Sequence, residues 1–169
     1  IVQQQTEETI VLATPDELYL ELSDIRKEFG LSQLAYSKDL NETAELKCSD
    51  MVENRYYAHE NPDTGYKGYE YILDNLPNVE YASENLNTGP NYSAQGFTDS
   101  WMESAPHRSA ILDERYDLTG FAICNVNGDY VAVHHMAEIG TVSKQTQTQQ
   151  SQSQRQQSDF RYELLPYGN

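Results

Sequence analysis

Two histidines and one glutamate, carried on three short segments far apart in the chain, are the residues whose types could do chemistry together. His59 lies in Tyr56-Tyr57-Ala58-His59-Glu60-Asn61-Pro62, Glu84 in Ala82-Ser83-Glu84-Asn85, and His107 in Trp101-Met102-Glu103-Ser104-Ala105-Pro106-His107-Arg108. Each segment sets one titratable group beside aromatic or turn-forming residues, which points to one cleft assembled from three separate loops or helix ends. Neutral imidazole nitrogens and a carboxylate are a suitable donor set for Zn²⁺ or another divalent cation with an open coordination position. The same pair of histidines can serve as general base and acid. A plainer role is also consistent with the residues: the imidazoles hydrogen-bond Glu84 and tie the three segments together.

The neighbours add candidates. Ser104 sits one helical turn before His107, an arrangement that fits a Ser-His pair and equally a serine capping a helix end ahead of Pro106. Arg108 has the charge to bind a ligand carboxylate or to anchor its own helix, and Asn85 can touch ligand or hold its loop. His134 and His135 adjoin, so on a strand they face opposite ways; one of them can approach the cleft, while a packed strand histidine is the preferred reading. Among the 13 tyrosines, Tyr56, Tyr57, Tyr66, Tyr69, Tyr71, Tyr81 and Tyr92 flank these segments, where their rings can line a groove for sugar or lipid.

The chain that must position these groups has 169 residues, the size of one domain with a tail, enough to bury a core without metal or disulfide staples. Eleven basic residues against 27 acidic ones give a formal net charge of -16. Phosphate backbones and anionic membrane surfaces are repelled by such a surface, which argues against nucleic acid as a partner. No apolar stretch approaches the roughly 20 residues of a spanning helix, and the start at Ile1 fits a mature form whose targeting segment has been removed. Cys48 and Cys124 are compatible with one disulfide or with two buried thiols, and the thiols are the preferred reading.

Residues 1–13 form an extended lead-in. Thr14, Pro15 and Glu17 spell a capping box, from which Leu18, Leu22, Ile25 and Phe29 recur at helical spacing until Gly30. A second helix starts at Ser37. Leu40, Ala44, Cys48, Met51 and Val52 form its buried face, whereas Asp39, Glu42, Glu45, Lys47, Asp50 and Glu53 fall mostly outside it. An ordered loop follows, with His59 just past the helix and turn residues at Asp63-Thr64-Gly65. A short helix is expected over 68–76, another after Ser93 with Phe97 and Trp101 pointing inward, and a further turn opened by Pro106. Two strands over 118–124 and 130–138 are joined through Asn127-Gly128, a strong hairpin signal. From 141 to 159 the composition turns to Gln, Ser and Thr, a low-complexity linker. It reads as a spacer, or else as a strand added to a neighbour's sheet edge. Residues 160–169 carry Phe160, Tyr162, Leu164, Leu165 and Tyr167, which can dock this end back.

In order and spacing these segments resemble the CAP superfamily, the cysteine-rich secretory, antigen 5 and pathogenesis-related proteins, in its cysteine-poor bacterial branch. The resemblance rests on Ile25-Arg26 and Gly30-Leu31, on Met51 through Pro62, on Glu84-Asn85, on Trp101, Ser104, His107 and Arg108, and on Ile111-Leu112 with Gly120. It covers residues 16–139. It implies an α+β fold, an α-β-α sandwich with a small antiparallel sheet, for a domain over 14–140. It also implies a cleft containing His59, Glu84 and His107, with divalent cation binding there. Many eukaryotic relatives carry a second glutamate where this chain has Ser104. Glu103, one residue early, is rotated by about 100° on a helix and is no replacement.

The reading that follows is a secreted or cell-surface protein acting by binding. Its metal candidates are His59, His107 and Glu84, and its ligand-binding candidates are Glu84, Asn85, Ser104 and Arg108. The expected partner is a small molecule, a lipid or a cell-envelope component. Two alternatives stand beside it: a metal-assisted hydrolase of peptide or cell-wall substrates, and a lipid- or sterol-binding module.

Overall fold

The computed structural model describes residues 12–88 and 92–140. Helix α1 (Pro15–Glu28) starts as its sequence dictates: Thr14 Oγ1 accepts from the Glu17 N–H, and the Glu17 carboxylate accepts from the Thr14 N–H at 2.9 Å. Gly30, at φ +73°, lets the chain turn away behind it. Strand β1 is only Ala35–Tyr36, and α2 (Lys38–Glu53) begins at Ser37, whose hydroxyl accepts from the Leu40 N–H. Then come α3 (Gly68–Asn75), β2 (Val79–Asn87), α4 (Ala94–Glu103), α5 (Ala105–Ile111), β3 (Leu118–Val126) and β4 (Asp129–Ile139). Asn127 and Gly128 both take positive φ, 55° and 103°, as the two-residue hairpin turn requires.

The four strands form one sheet in the order β1-β3-β4-β2. The β3–β4 and β2–β4 pairs are antiparallel, while the two-residue β1 pairs with β3 in parallel, so the sheet is mixed at that end. Side chains on one face, among them Leu118, Ala122, Val131, Val133, Ala137, Ala82 and Leu86, pack against α2 and α3. The other face, with Phe121, Ala132 and Met136, packs against Leu18 and Leu22 of α1, Phe97 and Trp101 of α4, and Ile111 of α5. This is an α-β-α sandwich of the α+β class, as expected.

Three local expectations are corrected. The segment around Glu84 is neither loop nor helix end but the middle of β2; Glu, Ser and Asn are poor strand formers, so nothing in the local pattern marks it. Lys47 is fully buried, whereas Val52 is 43 % exposed, so the buried face of α2 is rotated toward its polar side. Cys48 and Cys124 form a disulfide with Cα atoms 5.8 Å apart rather than two thiols. Gly120 explains the reach: a Cβ there would stand 2.5 Å from the Leu40 and Asn41 backbone, so only glycine lets α2 lie this close to β3 and brings the sulfurs together. The expected lead-in up to residue 11, the 141–159 linker and the 160–169 segment lie outside the described residues.

Candidate functional site

Register places the centre of the site. Glu84 of β2 is paired with His135 of β4, so both side chains stand on the face covered by α2 and α3. The Glu84 carboxylate is nearly sealed, its side chain 2 % exposed, and it divides its oxygens between two imidazoles. Oε1 accepts from His59 Nδ1 at 2.8 Å and Oε2 from His135 Nε2 at 3.2 Å. Burial alone would raise the carboxyl pKa; the bonds from His135 and His59 outweigh it and hold the group below the ordinary carboxylate value. An ionised carboxylate only accepts, so His59 carries its proton on Nδ1 toward Glu84. In the neutral ring this leaves Nε2 as an acceptor, on a side chain 57 % exposed.

A polar stripe on α2 supports this pair from below, at the helical spacing 43, 47 and 50. Thr43 Oγ1 lies 2.9 Å from His135 Nδ1. Lys47 donates to Tyr56 Oη at 2.8 Å and to the His59 carbonyl at 3.3 Å. Burial lowers the Lys47 pKa, and the nearby Glu84 and Asp50 carboxylates oppose that. Asp50 accepts from Tyr56, from Asn54 and from Asn61, both amides at 2.8 Å, and is held below the usual carboxylate range although burial pushes it up. Asn61 also stiffens the His59 loop, its side-chain oxygen accepting from the Asp63 and Thr64 N–H groups. Gly68 closes the lid on the carboxylate. Its N–H donates to the His59 carbonyl at 2.8 Å, and a Cβ at this position would come within 1.9 Å of Glu84 Oε2.

His107 arrives from the other helical layer. Arg26 fixes that layer by donating to the carbonyls of Ser32 (2.9 Å), Ile111 (2.6 Å) and Asp113 (2.9 Å), which ties the end of α1 to the end of α5. Half-buried His107 has its pKa lowered, first by burial and then by the charge of His59, so the two rings are within electrostatic reach. Ser104 joins α4 to α5 through its backbone, and its hydroxyl makes no capping bond. Arg108 donates to the Met102 carbonyl at 2.9 Å and so braces its own helix corner. Asn85 points to the opposite face of β2, where its amide donates to His134 Nδ1 at 3.3 Å while His134 Nε2 donates to Thr119. Burial drives the His134 pKa well below the ordinary value, and the ring stays neutral between Phe121 and Trp101.

Of the residues expected in the cleft, His59 and Glu84 are bonded directly and His107 lies within electrostatic reach of His59; the Asn85 amide bonds His134 and the Arg108 guanidinium bonds the Met102 carbonyl. Thr43, Lys47, Asp50 and Gly68 had not been anticipated at the site; Tyr56 had been expected to flank it, and of the adjoining His134 and His135 it is His135 that reaches it. The threefold recurrence of Thr43, Lys47 and Asp50 beside the apolar Ala44, Cys48 and Met51 is a signal for the α2 members. His135 can be assigned only once its pairing with Glu84 is known. Both Glu84 oxygens are engaged, and His59 is the exposed member of the group. Among the described residues no three His, Cys, Asp or Glu side chains are grouped so as to hold a metal ion.

The α-β-α sandwich thus carries a glutamate-anchored histidine beside the edge strand of its sheet. Residues 21–137 match the cysteine-rich secretory protein family, CAP, and the chain belongs to that family in its bacterial branch. It is 26 % identical over 95 residues to the uncharacterized protein YkwD of Bacillus subtilis, a match covering 56 % of this chain and 36 % of YkwD, so the chain spans about a third of that relative. The fold is shared with an outer surface protein of Borrelia burgdorferi (TM-score 0.65, 19 % identity, 73 % of this chain and 90 % of that one). It is shared also with an extracellular SCP-domain protein of Bacillus anthracis (TM-score 0.61, 19 % identity, 73 % and 40 %). Venom allergen-like protein 4 of Schistosoma mansoni matches at TM-score 0.57 and 13 % identity over 75 % and 89 %. No described helix is long and apolar enough to cross a membrane.

Proposed function

We propose that this chain is a secreted or surface-held binding domain that takes a small polar ligand group between His59 and His107. The observation that carries the reading is the buried Glu84 carboxylate, which spends one oxygen on fixing an exposed imidazole. A tie between segments needs no free Nε2 on a half-exposed ring, whereas recognition does: a neutral His59 in the Nδ1–H form offers a fixed acceptor to a ligand hydroxyl, amide or ammonium group. Glu84 orients and Lys47 counters its charge, so the acceptor is set in place before the ligand arrives. His107, biased to its neutral form, adds one donor and one acceptor without repelling a cationic group.

A divalent cation would meet two imidazoles and otherwise water, which supports loose, exchangeable binding of Zn²⁺ rather than a resident centre. The deciding experiment is a set of NMR titrations reading the ring protons of His59 and His107, with Zn²⁺, glycerol, acetamide, acetate and ethylammonium as probes. Saturable shifts of both rings by at least one organic probe, lost in His59→Ala, support the reading. Shifts with Zn²⁺ alone would make the site a cation site, and no shift with any probe would leave the triad a structural tie.

A further inference from the structure

The hydrogen-bond pattern of the sheet leaves one set of backbone groups unused at this site. Ser37 N–H bonds the Thr119 carbonyl, and Asp117 N–H bonds the Ala137 carbonyl. Thr119 therefore turns its main-chain groups toward β1, and Ala137 turns its own toward β3. In an antiparallel ladder these directions alternate. Ala137 and His135 accordingly face β3, while Met136, His134 and Ala132 face β2 and bond Ser83, Asn85 and Asn87, their register partners. What remains on β2 is Ala82, Glu84 and Leu86, whose N–H and C=O groups point away from the sheet. β2 is an edge strand, and among the described residues no hydrogen bond is made to these outward groups. Glu84 is half-buried as a residue although its side chain is 2 % exposed, so what it shows to solvent is its main chain.

His59 reaches Glu84 on the α2–α3 face. His107 sits in the other layer, close enough to charge-couple with both His59 and His134, which faces that layer. The two rings thus belong to opposite faces of the sheet that β2 borders. An edge of this length normally carries some device against pairing. The register shift between Val79 and Tyr81 and the exposed Glu80 guard the start of this edge, whereas at Ala82 and Glu84 the one charged side chain, Glu84, is folded inward and bonded.

We propose that the ligand of this site is an extended peptide segment that adds as a fifth strand to β2 at Ala82 and Glu84, its side chains falling alternately beside His59 and His107. Main-chain groups repeated every second residue are matched in spacing by another strand and by little else. The net charge of -16 selects the occupant: it favours a peptide with basic side chains and disfavours a second copy of this chain, which would bring the same charge against itself. The inference rests on the ligand-binding reading of the His59 site and names the ligand class.

The test uses a blocked eight-residue peptide of alternating valine and lysine, and the same peptide N-methylated at every second residue, which keeps the side chains but cannot pair along one edge. Saturable binding with slowed amide exchange at Ala82 and Glu84, weakened about tenfold or more by N-methylation, is the expected result. Ala82→Pro deletes an outward N–H without touching the β4 ladder and is expected to weaken the parent peptide about tenfold, whereas Ser83→Pro should unfold the sheet edge. Equal binding of both peptides, or ring shifts at His59 and His107 without amide protection, would overturn strand addition while leaving a ligand site. Absence of peptide binding, with organic probes still shifting the rings, would do the same; absence of both would remove the underlying reading as well. Protection of these amides by self-association, without peptide, would overturn the choice of occupant.

Discussion

Gly68→Ala is the sharpest single perturbation of the site. Gly68 opens α3 without a left-handed φ, so alanine suits its backbone, and helix propensity alone would make the change neutral or stabilising by up to about 1 kcal/mol. The environment reverses the sign. The added Cβ would lie 1.9 Å from Glu84 Oε2 and 2.1 Å from Cδ and Oε1, against a floor of 3.0 Å for real contacts, so carboxylate or helix must move by the difference of 1.1 Å. Glu84 has nowhere to go while it holds His59 at 2.8 Å and His135 at 3.2 Å. Such a shift breaks or badly stretches both bonds, each involving a charged group and each contributing about 1.5–3 kcal/mol. With partial recovery through relaxation, the expected net loss is about 2–4 kcal/mol, read as the change in unfolding free energy from urea titrations at pH 7.5. The companion variant isolates the cause: in a Glu84→Ala background the methyl group finds open space, and Gly68→Ala should cost less than about 1 kcal/mol. A Gly68→Ala loss under about 0.5 kcal/mol, or the same loss in both backgrounds, would refute the packing of Gly68 on the carboxylate.

Three further outcomes follow from the same contacts. Lys47→Met keeps the volume but leaves Glu84 and Asp50 without their buried counter-charge, and should cost about 3–5 kcal/mol in urea titrations; a loss below 1 kcal/mol would mean the ammonium is dispensable. His134 and His107 have native pKa values depressed below 6.5, so the unfolded chain takes up protons that the folded chain refuses. Stability should therefore be full above pH 6.5 and fall below it by up to about 1.4 kcal/mol per pH unit for each group, with Glu84 adding a further loss below pH 4.5, whereas urea midpoints constant from pH 7.5 to 5 would contradict this. Replacing Cys48 and Cys124 together by alanine opens a 76-residue loop and should cost about 4.5 kcal/mol on the chain-entropy view; a thermal midpoint unchanged by the double substitution would show that α2 is held by packing alone.

Much of the architecture was legible in the chain because its signals are local. Thr14 with Glu17, Ser37 and Ser93 are caps, Asn127-Gly128 is a hairpin turn, and the apolar periods of α1 and α4 are those of surface helices. The pairing of His59 with Glu84 came through the resemblance to a family, since no local rule joins residues 25 apart. Where local reasoning failed, tertiary contacts decide the outcome. β2 is written in Glu, Ser and Asn because its side chains serve a buried polar site, and a strand with that purpose has no apolar alternation to read. Lys47 looked like a solvated charge on the rim of α2 until a carboxylate, a tyrosine hydroxyl and a backbone carbonyl were arranged around it. Asn85 follows Glu84 by one residue, and the pleat alone sends it to the opposite core, where it fixes His134.

The account stands on Glu84 holding His59 in one tautomer with its outer nitrogen free. Long-range ¹H–¹⁵N correlation of the imidazole nitrogens at pH 7.5 reads that state directly. The expected spectrum has His59 protonated at Nδ1 with an unprotonated Nε2, reverting toward the Nε2–H form favoured by free histidine when Glu84 is replaced by alanine. His59 found in the Nε2–H form in the unsubstituted protein, or unaffected by Glu84→Ala, would contradict the site as described.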